Sequence, residues 1–331
     1  MEIKQVFIND VGRLRSGWRV LLFGAIFLFF AILLGIALRV ALALGHKFLP
    51  GYHLGSYIEN GVFRLLILIP ALLAGYICAS ALEGLPWRSL GLWFHSAWWR
   101  DLLVGSFIGI ASLALAAGIA TAGGGLSFSI TGRDALLQVG GTLLFSGLLF
   151  IVAALSEEAL FRGYPLQTMT RARLVWLAVF LTSVPFAAIH LGNPNVAAGF
   201  TFINTALAGV WLAVAYLRTR SLWFPLGVHW AWNWALASLL GLPVSGITDL
   251  APHPLLRGTD LGPTWLTGGT YGIEGGLACT ITLIVSTIFI WRTRLVSATP
   301  EMTKLTSGEN PAQVVTQEAF PDLRAGASPP S

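Results

Sequence analysis

The chain has 331 residues, 55% of them hydrophobic and 11% charged, where a soluble domain carries about 25% charged residues. That is too little charge to coat a water-soluble body of this size, so an ordinary soluble enzyme is excluded and the bilayer is the solvent. The formal net charge of +5 comes from 20 Lys and Arg against 15 Asp and Glu; the basic residues stand at the ends of apolar runs and form no patch, which argues for membrane lipid as the surroundings and against a nucleic-acid partner.

Eight apolar runs, near 18–44, 61–82, 102–122, 137–160, 174–192, 196–217, 222–243 and 273–291, approach the length that a hydrocarbon core of about 30 Å asks of a helix. The expected fold is all-α: a polytopic transmembrane helix bundle of about eight spans. The first run is long for a secretory signal and no small-residue cleavage site follows it, so it reads as a retained span. Lys4, Arg13 and Arg15, then Arg88 and Arg100, Arg171 and Arg173, Arg218 and Arg220, and Arg292 and Arg294 fall on alternate connections. The opposite loops hold Lys47, Arg133 and Arg257, with Arg39 and Arg64 near their edges. Both termini are therefore predicted to be cytoplasmic in a multi-pass protein of the cell membrane. Cys78 and Cys279 lie inside apolar runs, which speaks against a disulfide framework or a thiolate metal site.

The expected organisation is an N-terminal group of spans over 1–136, a core over 137–243, a loop over 244–272, a last span within 273–298 and a tail over 299–331. Residues 84–100, with Trp87, Trp93, Trp98 and Trp99 beside Arg88 and Arg100, read as an amphipathic interfacial anchor. The Gly- and Pro-rich loop 244–272 is predicted to be extracytoplasmic, and the polar, Pro-rich tail 299–331 to be disordered.

A charged side chain within a span costs about 2.5–3.5 kcal/mol on insertion scales, so such residues point to function. Three groups stand out in the middle of the chain. In Ser156-Glu157-Glu158-Ala159-Leu160-Phe161-Arg162, Glu158 and Arg162 are four apart and can pair on one helix face, while Glu157 points about 100° away without that partner. A carboxylate in an apolar cleft suits activation of a water; the alternative is that these residues mark the membrane boundary. His190 closes Phe186-Ala187-Ala188-Ile189-His190, where a helix-end histidine bonded to a carbonyl is the plainer alternative. In His229-Trp230-Ala231-Trp232-Asn233, His229 and Asn233 share a face and can donate toward one point, as an oxyanion site or as an interhelical polar zipper. Glu157 and His190 lie 14 and 17 residues from the Arg171–Arg173 turn, whereas His229 lies about nine beyond Arg220. By this count His229 is too shallow, and a tilt, a helix extension or a kink at Pro185 or Pro225 is expected.

Glu157-Glu158-x-x-x-Arg162, Phe186-x-x-x-His190 and His229-x-x-x-Asn233 in this order resemble the motifs of the CPBP family of intramembrane proteases, also called the CAAX protease and bacteriocin-processing or Abi family. Residues 217–225 are similar to that family's lead into its third motif, and the likeness covers roughly 137–240. The resemblance implies an intramembrane endopeptidase whose substrate is a membrane-associated or lipidated protein or peptide, prenylated CAAX proteins in the eukaryotic branch. It implies that Glu157 and His190 activate water, that His229 and Asn233 stabilise the oxyanion, and that Glu158 and Arg162 are a supporting pair. A glutamate-activated water without an obligatory metal is the expectation; zinc stays open, with Glu157, His190 and His229 as its ligands, although no His-Glu-x-x-His helix is present. A non-proteolytic immunity or scaffold protein of the same fold and a proton-coupled transporter are the other readings.

Overall fold

The computed structural model describes residues 3–48, 55–196 and 199–307. The helices run α1 Ile3–Phe7, α2 Ser16–Phe48, α3 Ser56–Glu83, α4 Trp98–Ala122, α5 Leu136–Phe161 and α6 Tyr164–Arg171. They continue with α7 Val175–His190, α8 Phe200–Thr219, α9 Trp223–Trp234, α10 Thr264–Thr267, α11 Leu277–Arg292 and α12 Pro300–Thr306. The apolar helices α2–α5, α7–α9 and α11 fall on the eight expected runs, and the chain is a multi-pass helical membrane protein. Five stretches, Ser16–Gly45, Tyr57–Glu83, Trp98–Ala122, Leu136–Arg171 and Phe200–Thr219, have the length and apolar composition to cross a bilayer. The apolar helices α7 and α11 are shorter, 16 residues each. Leu28, Phe29, Ile32, Leu33 and Ile36 of α2 are exposed, as a lipid-facing side requires where hydrocarbon replaces water as the surrounding medium.

Without a hydrophobic drive between helices in lipid, close backbone contact at small residues holds a bundle together. That device joins α4 to α9. A Cβ on Gly105 would stand 2.4 Å from the Phe224 carbonyl oxygen, one on Gly109 2.4 Å from that of Val228, and one on Gly227 2.3 Å from that of Leu102. Glycines on both helices thus let the backbones touch, and α9 carries His229. Trp230 and Trp234 donate their indole N–H groups to the carbonyls of Gly147 and Leu143, each at 3.0 Å. These bonds brace α9 against α5. A second tie is ionic: Glu83 at the end of α3 accepts two bonds from Arg171 of α6, at 2.7 and 2.8 Å, and lies 3.2 Å from Arg19 of α2. The carboxylate and both guanidinium side chains are almost wholly buried.

Several expectations need correction. Loop 244–272 is built: Leu256–Asp260 (β2) pairs antiparallel with Leu126–Ile130 (β1), Phe128 facing Gly258, and α10 follows. This ribbon is a small addition to the helical fold: Leu126–Ile130 alternates apolar and polar residues over only five positions, and its partner Leu256–Asp260 shows no such alternation. Residues 84–100, expected as an amphipathic interfacial stretch, make a short 3-10 turn at Trp87–Leu90, a loop packed on the start of α9 and the first residues of α4; Leu222 N–H donates to the Gly91 carbonyl and Trp223 Nε1–H to that of Trp93. His95 lies buried in this loop, 2.9 Å from Ser221 Oγ, and burial pushes its imidazole below the ordinary histidine value. The tail is not disordered from 299: α12 is capped by Thr299, and Met302 is fully buried. The rest of the expected tail, 308–331, lies outside the described residues.

Gly109→Val should force α4 and α9 apart and cost about 1–3 kcal/mol of stability through overpacking. The measurement is the thermal unfolding midpoint in detergent, with Gly118→Val as control, since a Cβ there meets nothing within 4 Å.

Candidate active site

The site is assembled at the end of α5. Helix α5 stops at Phe161, and the chain turns at Gly163, where a Cβ would lie 2.2 Å from the Ala159 carbonyl oxygen. Helix α6 then starts with Pro165 in its first turn. Glu157 lies four residues before the end of α5, and α6 carries the chain on beside α3, with Tyr164 against Gly75 and Arg171 against Glu83. His229 lies six residues into α9 and meets Glu157 without a kink at Pro225, which occupies the first turn of its helix. Pro185 does lie inside α7.

The adjacent glutamates point to different partners, as their angular separation requires. Glu158 is fully buried, with Arg162 Nη1 at 3.2 Å and His229 Nδ1 at 2.9 Å on the same oxygen, Oε1. Arg162 also donates to the Gly209 carbonyl of α8 at 3.2 Å and stands 4.5 Å over the Phe186 ring. Phe186 in turn lies 4.6 Å from the His190 ring and 6.2 Å from that of His229, centroid to centroid. The phenylalanine of the second motif is thus the apolar spacer between both histidines and the buried guanidinium.

Glu157 faces the cavity. It is not unpartnered, as its local spacing suggested: Arg64 of α3 donates to its Oε1 at 2.8 Å, and His229 Nε2 lies 3.6 Å from Oε2. Arg64, 93 positions away, was missed as a site residue; its signal was a basic residue inside an apolar run.

His190 donates from Nδ1 to the Phe186 carbonyl at 2.7 Å when neutral, which leaves Nε2 as an acceptor. The plain reading of a histidine bonded to a helix carbonyl and the functional one are thus compatible, because they use different nitrogens. The same logic constrains His229. Glu158 accepts from Arg162, so it is an acceptor toward Nδ1 as well, and His229 can donate from Nε2 only when the ring carries both protons. Asn233 lines the same cavity, and its amide has no hydrogen-bond partner among the described residues.

Glu157, His190, His229 and Asn233 all line one cavity, together with Arg64, Trp232, Ser245 and Glu274. Among the described residues no three His, Cys, Asp or Glu side chains converge as a metal site. Arg64 occupies Oε1 of Glu157, so a cation held by this carboxylate would use Oε2, the oxygen nearer His229 Nε2.

Residues 139–235 match the family model described as type II CAAX prenyl endopeptidase Rce1-like. This segment is similar to that family. It holds all four cavity-lining candidates and the Glu158–Arg162 pair, while Arg64 and Glu274 lie outside it. The chain is also similar to an uncharacterized 24.3 kDa protein of Escherichia coli, 36% identical over 84 residues, which are 24% of this chain. The chain spans 37% of that relative's length.

The two glutamates should separate in stability. Glu158→Gln leaves Arg162 buried and unpaired, a loss of about 3–5 kcal/mol. Glu157→Gln, whose partner Arg64 is 25% exposed and can turn to water, should cost less than Glu158→Gln. Thermal unfolding of the two purified variants in one detergent measures the difference.

Proposed function

We propose that the protein is an intramembrane endopeptidase that hydrolyses a peptide bond of a membrane-associated or lipidated protein or peptide. The observation that carries this reading is the convergence of Glu157, His190, His229 and Asn233, from three helices, on one cavity. The Rce1-like segment supports the same class of activity. The alternation of basic connections supports insertion in the cell membrane with both termini cytoplasmic.

In the proposed reaction a water sits between Glu157 and His190 Nε2. As its oxygen bonds to the carbonyl carbon, one proton passes to Glu157 and the carbonyl oxygen takes up negative charge. His229, carrying both ring protons, donates from Nε2 to that oxygen, and the Asn233 amide donates beside it. Such donors act strongly in a site closed to bulk water. On collapse the C–N bond breaks, and the proton held by Glu157 goes to the departing nitrogen. Glu158 keeps the His229 ring in place from Nδ1, and Arg162 compensates Glu158. Arg64 fixes one oxygen of Glu157 and leaves the other toward His229 and the cavity. The proposed steps need no metal ion; a zinc ion, if held by Glu157, His190 and His229, would use the Glu157 oxygen that Arg64 leaves open.

The four cavity-lining side chains also favour this reading over a non-proteolytic immunity or scaffold protein of the same fold, which has no need of a base and paired donors. A proton-coupled transporter would show proton flux in liposomes that Glu157→Gln abolishes, with no fragments formed.

Membranes from cells carrying the wild-type protein should contain peptide fragments that are missing with Glu157→Gln. Once such a substrate is in hand, Glu157→Gln and His190→Ala should lower turnover by about 10²–10⁴-fold, and Asn233→Ala by about 10²–10³-fold. Wild-type rates in folded, inserted Glu157→Gln protein would overturn the reading.

A further inference from the structure

The cavity holds a third carboxylate that the proposed reaction leaves unused. Glu274 lies between the loop 244–272 and α11, outside the Rce1-like segment, and lines the same cavity as Glu157 and His229. Its Oε1 accepts from Trp232 Nε1 at 2.9 Å; its Oε2 accepts from the Ser245 amide at 2.5 Å and from Ser245 Oγ at 3.1 Å. All three donors are neutral, and no Lys, Arg or His pairs with it among the described residues. The other carboxylates of the site are matched: Glu158 with Arg162, and Glu157 with Arg64. Glu274 is therefore the acidic group of this cavity without a cation of the protein's own, and it is only partly buried.

Its placement is rigid and close to the reacting centre. Trp232 is three positions after His229 on α9, about 4.5 Å along a helix axis, and its indole holds one carboxylate oxygen. Ser245, which holds the other, is tied back to the chain just after His190: Asn193 donates to the Ser245 carbonyl at 3.1 Å and Asn195 to that of Gly246 at 2.9 Å. A carboxylate fixed by neutral donors and open to a cavity is a receptor for a cation, because a charge-assisted bond there replaces water without new ordering of the protein. An extended peptide advances about 3.3–3.6 Å per residue, so a side chain within two positions of the bond to be cut reaches it.

We infer that Glu274 is a specificity subsite that receives the ammonium or guanidinium group of a Lys or Arg side chain close to the scissile bond. This rests on the peptidase reading for what happens at that bond, but the recognition itself is a binding property. The test uses full-length protein in lipid nanodiscs, with Glu157→Gln blocking turnover. The probes are end-blocked octapeptides that carry Lys or Arg at one scanned position, each compared with its norleucine twin. The expected result is retention of the basic peptide at least tenfold better at one position or two neighbouring ones, with the ratio falling below twofold when Glu274→Gln is added.

Equal retention of basic and norleucine peptides in the Glu157→Gln protein overturns the subsite, whether or not the Glu274 variant folds. A basic preference that survives Glu274→Gln, or no retention of any peptide, overturns it too. Incubating the retained peptides with wild-type protein separates the two ideas. Basic peptides that bind through Glu274 and are never cut sink the peptidase and leave the subsite, whereas cutting with no basic preference sinks the subsite and leaves the peptidase.

Discussion

Everything around the cavity depends on a carboxylate that has no access to solvent. Glu158 is fully buried and carries Arg162 on one side and His229 on the other. A lone charge in such surroundings is very costly, and the cost is offset only if its partners stay in place. Arg162 is held by its own helix, by the Gly209 carbonyl and by the face of Phe186. His229 is held by α9, whose backbone rests directly on α4 through Gly105, Gly109 and Gly227. The ion pair thus acts as a register pin: α5, α7, α8 and α9 satisfy it together in one arrangement.

This explains why two neighbouring glutamates divide their labour. On a helix, adjacent side chains diverge by about 100°, so one position faces the bundle interior while the next faces the cavity. Glu158 is spent on structure. Glu157 is left at the cavity edge, held through one oxygen by a partly exposed arginine, and so retains an oxygen for chemistry in the proposed reaction. The same separation recurs at the histidines, where one ring nitrogen is tied to the protein and the other is left to the cavity.

The helices and the four cavity-lining residues were legible in the chain because their signals are local. Apolar runs of helix length mark spans, and spacings of four put side chains on one face. The His229–Glu158 contact joins positions 71 apart and the Arg64–Glu157 contact positions 93 apart; neither leaves a local pattern. Arg64 and Glu274 did carry a signal, a charge within or beside an apolar run, but each stands alone and was passed over in favour of clustered residues. Residue counting takes Glu157 to Arg171 as one straight helix, whereas a turn at Gly163, fixed by a steric contact invisible to hydropathy, divides it into α5 and α6. The ribbon of β1 and β2 escaped for a similar reason. Backbone pairing holds it, and the side chains of Leu256–Asp260 show no alternation.

In the proposed function, reaction and selection draw on different parts of the chain. The Rce1-like segment, residues 139–235, contains the carboxylate, both histidines, the asparagine and the pair that supports them. Much of the lining comes from the same segment, Trp211 and Trp232 among it, but Arg64 from α3 and Ser245 and Glu274 from the chain between α9 and α11 come from outside it. A peptide entering the cavity meets groups from both sources, and side-chain recognition is free to change with the flanking elements while the hydrolytic geometry stays fixed by Glu158. The bonds from Asn193 and Asn195 to the 245–246 carbonyls are the physical coupling between the two. They tie the wall that holds Glu274 to the segment that follows His190, so the distance between selecting and reacting groups is set by the fold itself.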